Sequence, residues 1–280
     1  MKTLLKCLVI IAFAMIAAST YSQVLDTGPR DGIYDKTAIL QMVPIPYVPL
    51  READVIWSRR IWREINMKEK MNQPFYFPET PQGTWKSLMQ IVLDNLKEGT
   101  ITAYEDDKFI LPRNYNEIMK QSERNIKKTL LREGSDVEYD TTYTESFQPT
   151  DVKKLYVKEQ WVFYRQRSVL EVRILGICPI KESFTDQGEY RGDIPMFWIY
   201  FPECRNIFAK TEQFNLKNGD AGRLSYDDVF MKRMLNSFIY KEENVYDRKI
   251  SDYALGVDAL VEADRAKASL HEFEMSLWEY

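Results

Sequence analysis

A chain of 280 residues that is 45% apolar and 13% aromatic has the material for a sizeable core and is too rich in rings for a disordered protein. Its 38 basic residues face 42 acidic ones, a net charge of −4, so the basic excess of a nucleic-acid binder is absent. One histidine, His271, excludes multi-histidine metal sites and argues against histidine-based catalysis.

Lys2 and Lys6 precede an almost unbroken apolar run, Leu8 to Ala18, and small residues follow. That is the layout of a cleaved export signal, with the cut expected between Ser22 and Gln23. The run is far short of the ~20 apolar residues a spanning helix needs, and no later segment reaches that length. Cys7 lies at the front of the run, so it is not placed for lipid attachment after cleavage. Loss of residues 1–22 removes two lysines and moves the net charge from −4 to −6. It also leaves two cysteines, Cys178 and Cys204. These could form one disulfide in an exported protein, but we read them as separate buried thiols.

Residues 23–50 read as an extended arm ahead of one globular domain, residues 51–280. Pro44, Pro46 and Pro49 alternate with Ile45, Tyr47 and Val48. Such spacing fits neither a helix nor a central strand and favours a stiff, polyproline-like run. The interleaved apolar side chains need burial, either on the arm's own domain or on a partner.

From Arg51 the stripe Ala53, Trp57, Ile61 and Ile65 predicts a helix, stopped by Pro74. Trp57 and Trp62 lie five apart and would not share a face, so one of them is a candidate for a partner surface. Thr84 is a candidate cap for a second helix through Trp85, Leu88, Val92 and Leu96, closed by Gly99. Ile101–Tyr104 alternates like a strand. Residues 116–131 suggest a polar helix, and 134–150 a loop. Leu155–Ile180 reads as a β-hairpin turning at Arg167-Ser168, and Met196–Phe201 as a central strand. Ser225 caps a helix carried through Val229, Met231, Leu235 and Phe238, and residues 254–280 are mostly helical. Helices at both ends around a central, mainly antiparallel sheet make the class α+β.

The search for chemistry finds no nucleophile elbow, no glycine-rich phosphate loop and no C-x-x-C pair. Adjacent acidic pairs such as Asp106-Asp107 and Asp227-Asp228 do not converge by themselves. Asp220 and Asp227 do not match the spacing of a calcium loop. We expect no cofactor, no metal and no enzyme.

Whole segments resemble the gliding-motility protein N family, also called PorN, of the type IX secretion system of Bacteroidota. They are Arg51-Glu-Ala-Asp-Val-Ile-Trp-Ser-Arg-Arg-Ile-Trp-Arg63, Ile101-Thr-Ala-Tyr-Glu105 and Met196-Phe-Trp-Ile-Tyr-Phe-Pro-Glu-Cys-Arg-Asn-Ile-Phe208. Asn244-Val-Tyr-Asp-Arg248 and Trp278-Glu-Tyr280 complete the set. The resemblance spans roughly Gln23 to Tyr280. It implies a periplasmic scaffold without catalysis. It also implies a ring built with an outer-membrane lipoprotein, the K component, and contact with the periplasmic part of the inner-membrane M component. A free periplasmic enzyme or ligand-binding module is the alternative. The stiff apolar arm speaks against that alternative, since a free enzyme has little use for it.

Overall fold

The computed structural model describes residues 37–83, 85–131, 138–184, 190–214 and 223–278. The expected signal peptide and residues 23–36 of the arm lie outside them. The strands are β1 (Val55–Asn66), β2 (Ala103–Tyr104), β3 (Pro112–Arg113), β4 (Arg124–Leu131), β5 (Glu138–Glu145), β6 (Val152–Tyr164), β7 (Val169–Phe184), β8 (Tyr190–Pro195), β9 (Trp198–Tyr200) and β10 (Phe238–Glu242). The helices are α1 (Gln73–Tyr76), α2 (Leu88–Glu98), α3 (Tyr115–Ser122), α4 (Phe201–Lys210), α5 (Tyr226–Met231) and α6 (Val257–Ser276). An eight-stranded sheet runs in the order β10-β1-β6-β7-β9-β2-β3, with β8 also on β7, and every pair is antiparallel. Among the described residues β4 and β5 pair only with each other. The class is α+β, as the segregation of elements implied.

The first element departs from expectation: Val55–Asn66 is a strand, not a helix. A spacing of four is a multiple of two, so Trp57, Ile61 and Ile65 fall on one face of a strand as readily as on one face of a helix. Branched and aromatic side chains along the segment favour the pleated form. Two further readings are corrected. Residues 124–131 leave α3 and pair with 138–145, where a longer helix and then a loop were expected. The α5 helix ends at Met231, and Phe238 opens β10 instead of closing the helix.

Other local signals hold. The hairpin of β6 and β7 turns at residues 165–168, with Ser168 at φ 50°. Ser225 caps α5 through a reciprocal box with Asp228. The α2 helix is capped by Ser87, with Gln90 closing the box and Gly99 ending the helix at φ 76°; the expected cap, Thr84, lies outside the described residues. The Trp198–Tyr200 strand is shorter than its apolar run because Pro202 sits in the first turn of α4 and starts a helix there.

The sheet is covered on both faces. On one, Ile65, Leu155, Val157, Ile174 and Ile177 pack against α2, α4 and α5, through Leu88, Val92, Phe201, Phe208, Tyr226 and Phe230 among others. On the same face Ile61 and Ile239 meet Ala263, Ala266 and Leu270 of α6. On the other, Trp62, Cys178 and Trp198 gather Tyr104, Phe109, Tyr156 and Tyr240. Residues 105–111 cross this aromatic face as a strap, closed by Glu105 N–H donating to Leu111 O at 3.0 Å. Inside the strap Phe109 takes φ 58°, which aims its ring at Gly176. A Cβ on Gly176 would stand 2.4 Å from that ring, so only glycine allows the approach. Lys158 anchors the strap: its Nζ lies 3.3 Å from Asp107 Oδ2, and Trp62 Nε1 donates to the same oxygen at 3.0 Å.

Candidate functional site

The arm is described from Thr37, and it contains no charged residue up to Leu50. Ile39 is buried, and its short 3-10 turn lies against α4. Past that turn the backbone is extended, with Met42 at φ −66° and ψ 138°. Pro44 is half-buried, but Val43 and Ile45 are 79% and 80% exposed and Pro46 is exposed. Tyr47 then fastens the chain to the body. Two guanidinium groups lie over its ring, that of Arg205 at 4.5 Å and that of Arg173 at 4.9 Å from the centroid. The aromatic face is negative, so both cations are attracted to it. The Tyr47 hydroxyl reaches Met231 Sδ at 3.5 Å. Burial pushes the Tyr47 pKa above that of an ordinary phenol, although Arg205 opposes the shift.

Both arginines are held in place by acids. Arg205 makes a two-pronged ion pair with Asp227, at 2.9 Å and 3.1 Å, between side chains only 6% and 9% exposed. Arg173 bonds Glu171 at 3.0 Å and 3.2 Å and also donates to the carbonyl of Val48. Val48 is therefore tied through its backbone, and Pro49 is exposed. After Leu50 a short 3-10 turn, Glu52–Asp54, leads into β1 at Val55. An open cleft of about 370 Å³ lies between the arm and the sheet, lined by Tyr47, Leu50, Val162, Arg173, Leu175 and Tyr200 among others.

The other candidates from the sequence sit inside the fold. Trp57 stacks on Phe273 of α6 at 4.2 Å. Trp62, 5% exposed, has Lys241 and Lys158 over its ring at 4.4 Å and 5.5 Å. Cys178 and Cys204 are free thiols buried in different clusters, one on the aromatic face and one on the buried face of α4. Burial pushes each thiol pKa up to about 12. Sequence reasoning missed the clamp around Tyr47, because Arg173 and Arg205 carry no local signal. It also missed the buried Glu159, held by Arg63 at 3.0 Å, Arg233 at 3.0 Å and Trp161 Nε1 at 3.1 Å.

Among the described residues no helix is long and apolar enough to cross a membrane. The family model described as "Gliding motility associated protein GldN" matches residues 50–279. No curated protein matches the chain.

Proposed function

The chain belongs to the gliding motility associated protein GldN family, the N component of the gliding and type IX secretion machinery, and from that premise we propose that it serves there as a non-enzymatic periplasmic scaffold subunit. Its signal peptide is cut at Ser22/Gln23, and the mature chain is held under the outer membrane by a K-type lipoprotein, with which it builds a ring. The opposite contact is the periplasmic part of the M-type protein of the inner membrane. The observation that carries this reading is the arm. Val43 to Pro46 is stiff and uncharged, with Val43, Ile45 and Pro46 in solvent, yet it is fastened at Tyr47 to the body. Such a segment loses little entropy on binding and brings apolar surface to a partner, the lipoprotein or a neighbouring subunit.

Since Tyr47 and Val48 are engaged with the body, the informative change is Val43→Ser with Ile45→Ser. Both side chains stand in solvent, so the melting temperature should not move. Each side chain is worth ~1.5–3 kcal/mol if fully buried against a partner. Cross-linking and pull-down from the envelope should then recover less lipoprotein with the double variant. An undiminished complex would remove the arm from the interface. A wild-type chain recovered as a monomer with no lipoprotein would favour the free enzyme or binding module instead.

A further inference from the structure

We propose that Val43–Pro46 binds as a strand with one usable edge, added to the free edge of β7 at Val169–Leu175 in a second copy of this chain. The proposal rests on the reading that the arm reaches a partner, and it names that partner and the mode of contact.

In an extended chain the N–H and C=O of one residue point to the same side, and those of the next residue to the other. Pro44 and Pro46 thus place their missing donors on one side only. Val43 and Ile45 present complete donor and acceptor pairs on the other. Among the described residues neither amide has a hydrogen-bond partner, and both side chains are exposed. A strand of this kind can join a sheet and then stop it, because its outer edge carries no donors at the prolines.

The same chain offers an edge of matching kind. On one side β7 pairs with β6 from Val169 to Lys181. On its other side β9 covers Gly176 and Ile177, and β8 covers Ile180 to Phe184. Val169–Leu175 therefore has no strand on that side among the described residues. The stretch is Val-Leu-Glu-Val-Arg-Ile-Leu, rich in strand-forming residues, and Val169 is 54% exposed. Unpaired strand edges are templates for added strands, with backbone bonds giving affinity and neighbouring pockets giving selectivity. The open cleft of about 370 Å³ adjoins this edge at Arg173–Leu175 and can take an alternate side chain of the added strand. Residues 38–50 are uncharged, so the entering segment brings no charge of its own to desolvate. In its own copy Val43–Pro46 makes no backbone bond to this edge, which leaves donor and acceptor both open for exchange between copies. The donor and the edge are different surfaces, so the contact is head-to-tail and can propagate around a ring.

The test uses the mature chain carrying two different tags on two populations. One population carries Ile45→Cys, the other cysteine in turn at Val169, Leu170, Glu171 and Val172. Oxidation should give a disulfide between the tags at one or two adjacent registers. In parallel, Ile45→Pro removes the amide donor while keeping the segment stiff and apolar. It should weaken self-association by about tenfold, the order expected for one interfacial hydrogen bond lost with its partner left bare. Ile45→Val should leave it unchanged. Failure to cross-link at all four positions would overturn the proposal. So would full self-association of Ile45→Pro. If the Val43→Ser, Ile45→Ser variant still loses the lipoprotein in those cases, the arm binds a partner by another mode and only the strand-addition proposal falls.

Discussion

The clamp on Tyr47 makes a quantitative prediction about how the arm is held. Tyr47→Ala removes a ring with guanidinium groups over it at 4.5 Å and 4.9 Å. Each such contact contributes ~0.5–1 kcal/mol at a partly exposed site, and the lost ring burial adds a comparable amount. The sum is about 2 kcal/mol, or roughly 30-fold in the equilibrium between a docked and a released arm. Release of a terminal segment is a local opening, so the readout is local. Subtilisin cleavage between positions 46 and 51, followed by mass spectrometry, should quicken by that order in Tyr47→Ala. Tyr47→Phe keeps the ring and loses only the hydroxyl contact to Met231 Sδ at 3.5 Å, so it should cleave almost as slowly as wild type. Asp227→Ala is the contrasting case. It leaves Arg205 buried without its acid, a loss of ~3–5 kcal/mol that should appear in global unfolding. Wild-type cleavage rates in Tyr47→Ala would refute the clamp. A fall in global stability as large as that of Asp227→Ala would show that the arm is part of the core.

Three further outcomes are expected. Gly176→Ala should destabilise the fold by ~1–3 kcal/mol, since its Cβ would meet the Phe109 ring at 2.4 Å, and Phe109→Ala should relieve part of that loss in urea unfolding of the double variant. Thiol titration without reductant should find Cys178 and Cys204 protected in native protein and both reactive after denaturation; finding neither reactive would reveal a bridge. Burial raises the pKa of Glu64, while Lys154 at 3.4 Å opposes the shift. A carboxyl with a raised folded-state pKa weakens the fold when ionised, and that penalty fades as pH falls through the folded value. Glu64→Gln should therefore raise the melting temperature relative to wild type more near neutral pH than at about pH 4.

How much could be read from the residues follows from how local each signal is. The cap at Ser225 and the hairpin turn at Arg167-Ser168 are complete within a few positions, and both lie where their chemistry implied. The helix expected from Arg51 failed for a related reason. Its spacing of four suits both periods, and the deciding fact is distant: Arg63 sits inside the apolar stripe because Glu159, 96 residues on, neutralises it in the sheet. Read locally, a buried arginine argues against a face. Read with its partner, it marks the strand that brings the two together. The arm shows the same limit in a functional setting. Its stiffness and apolar character are local, and they were legible as a need for burial. Which residues meet that need in the body and which are left over depends on Arg173 and Arg205, set far apart in the chain by β7 and α4. Tyr47 satisfies both arginines, and the geometry leaves Val43 and Ile45 in solvent with their amides unused. A single apolar motif is thereby divided into an anchor and a donor, a division that no spacing rule contains and that the folded chain makes by supplying cations at one residue and nothing at the two before it.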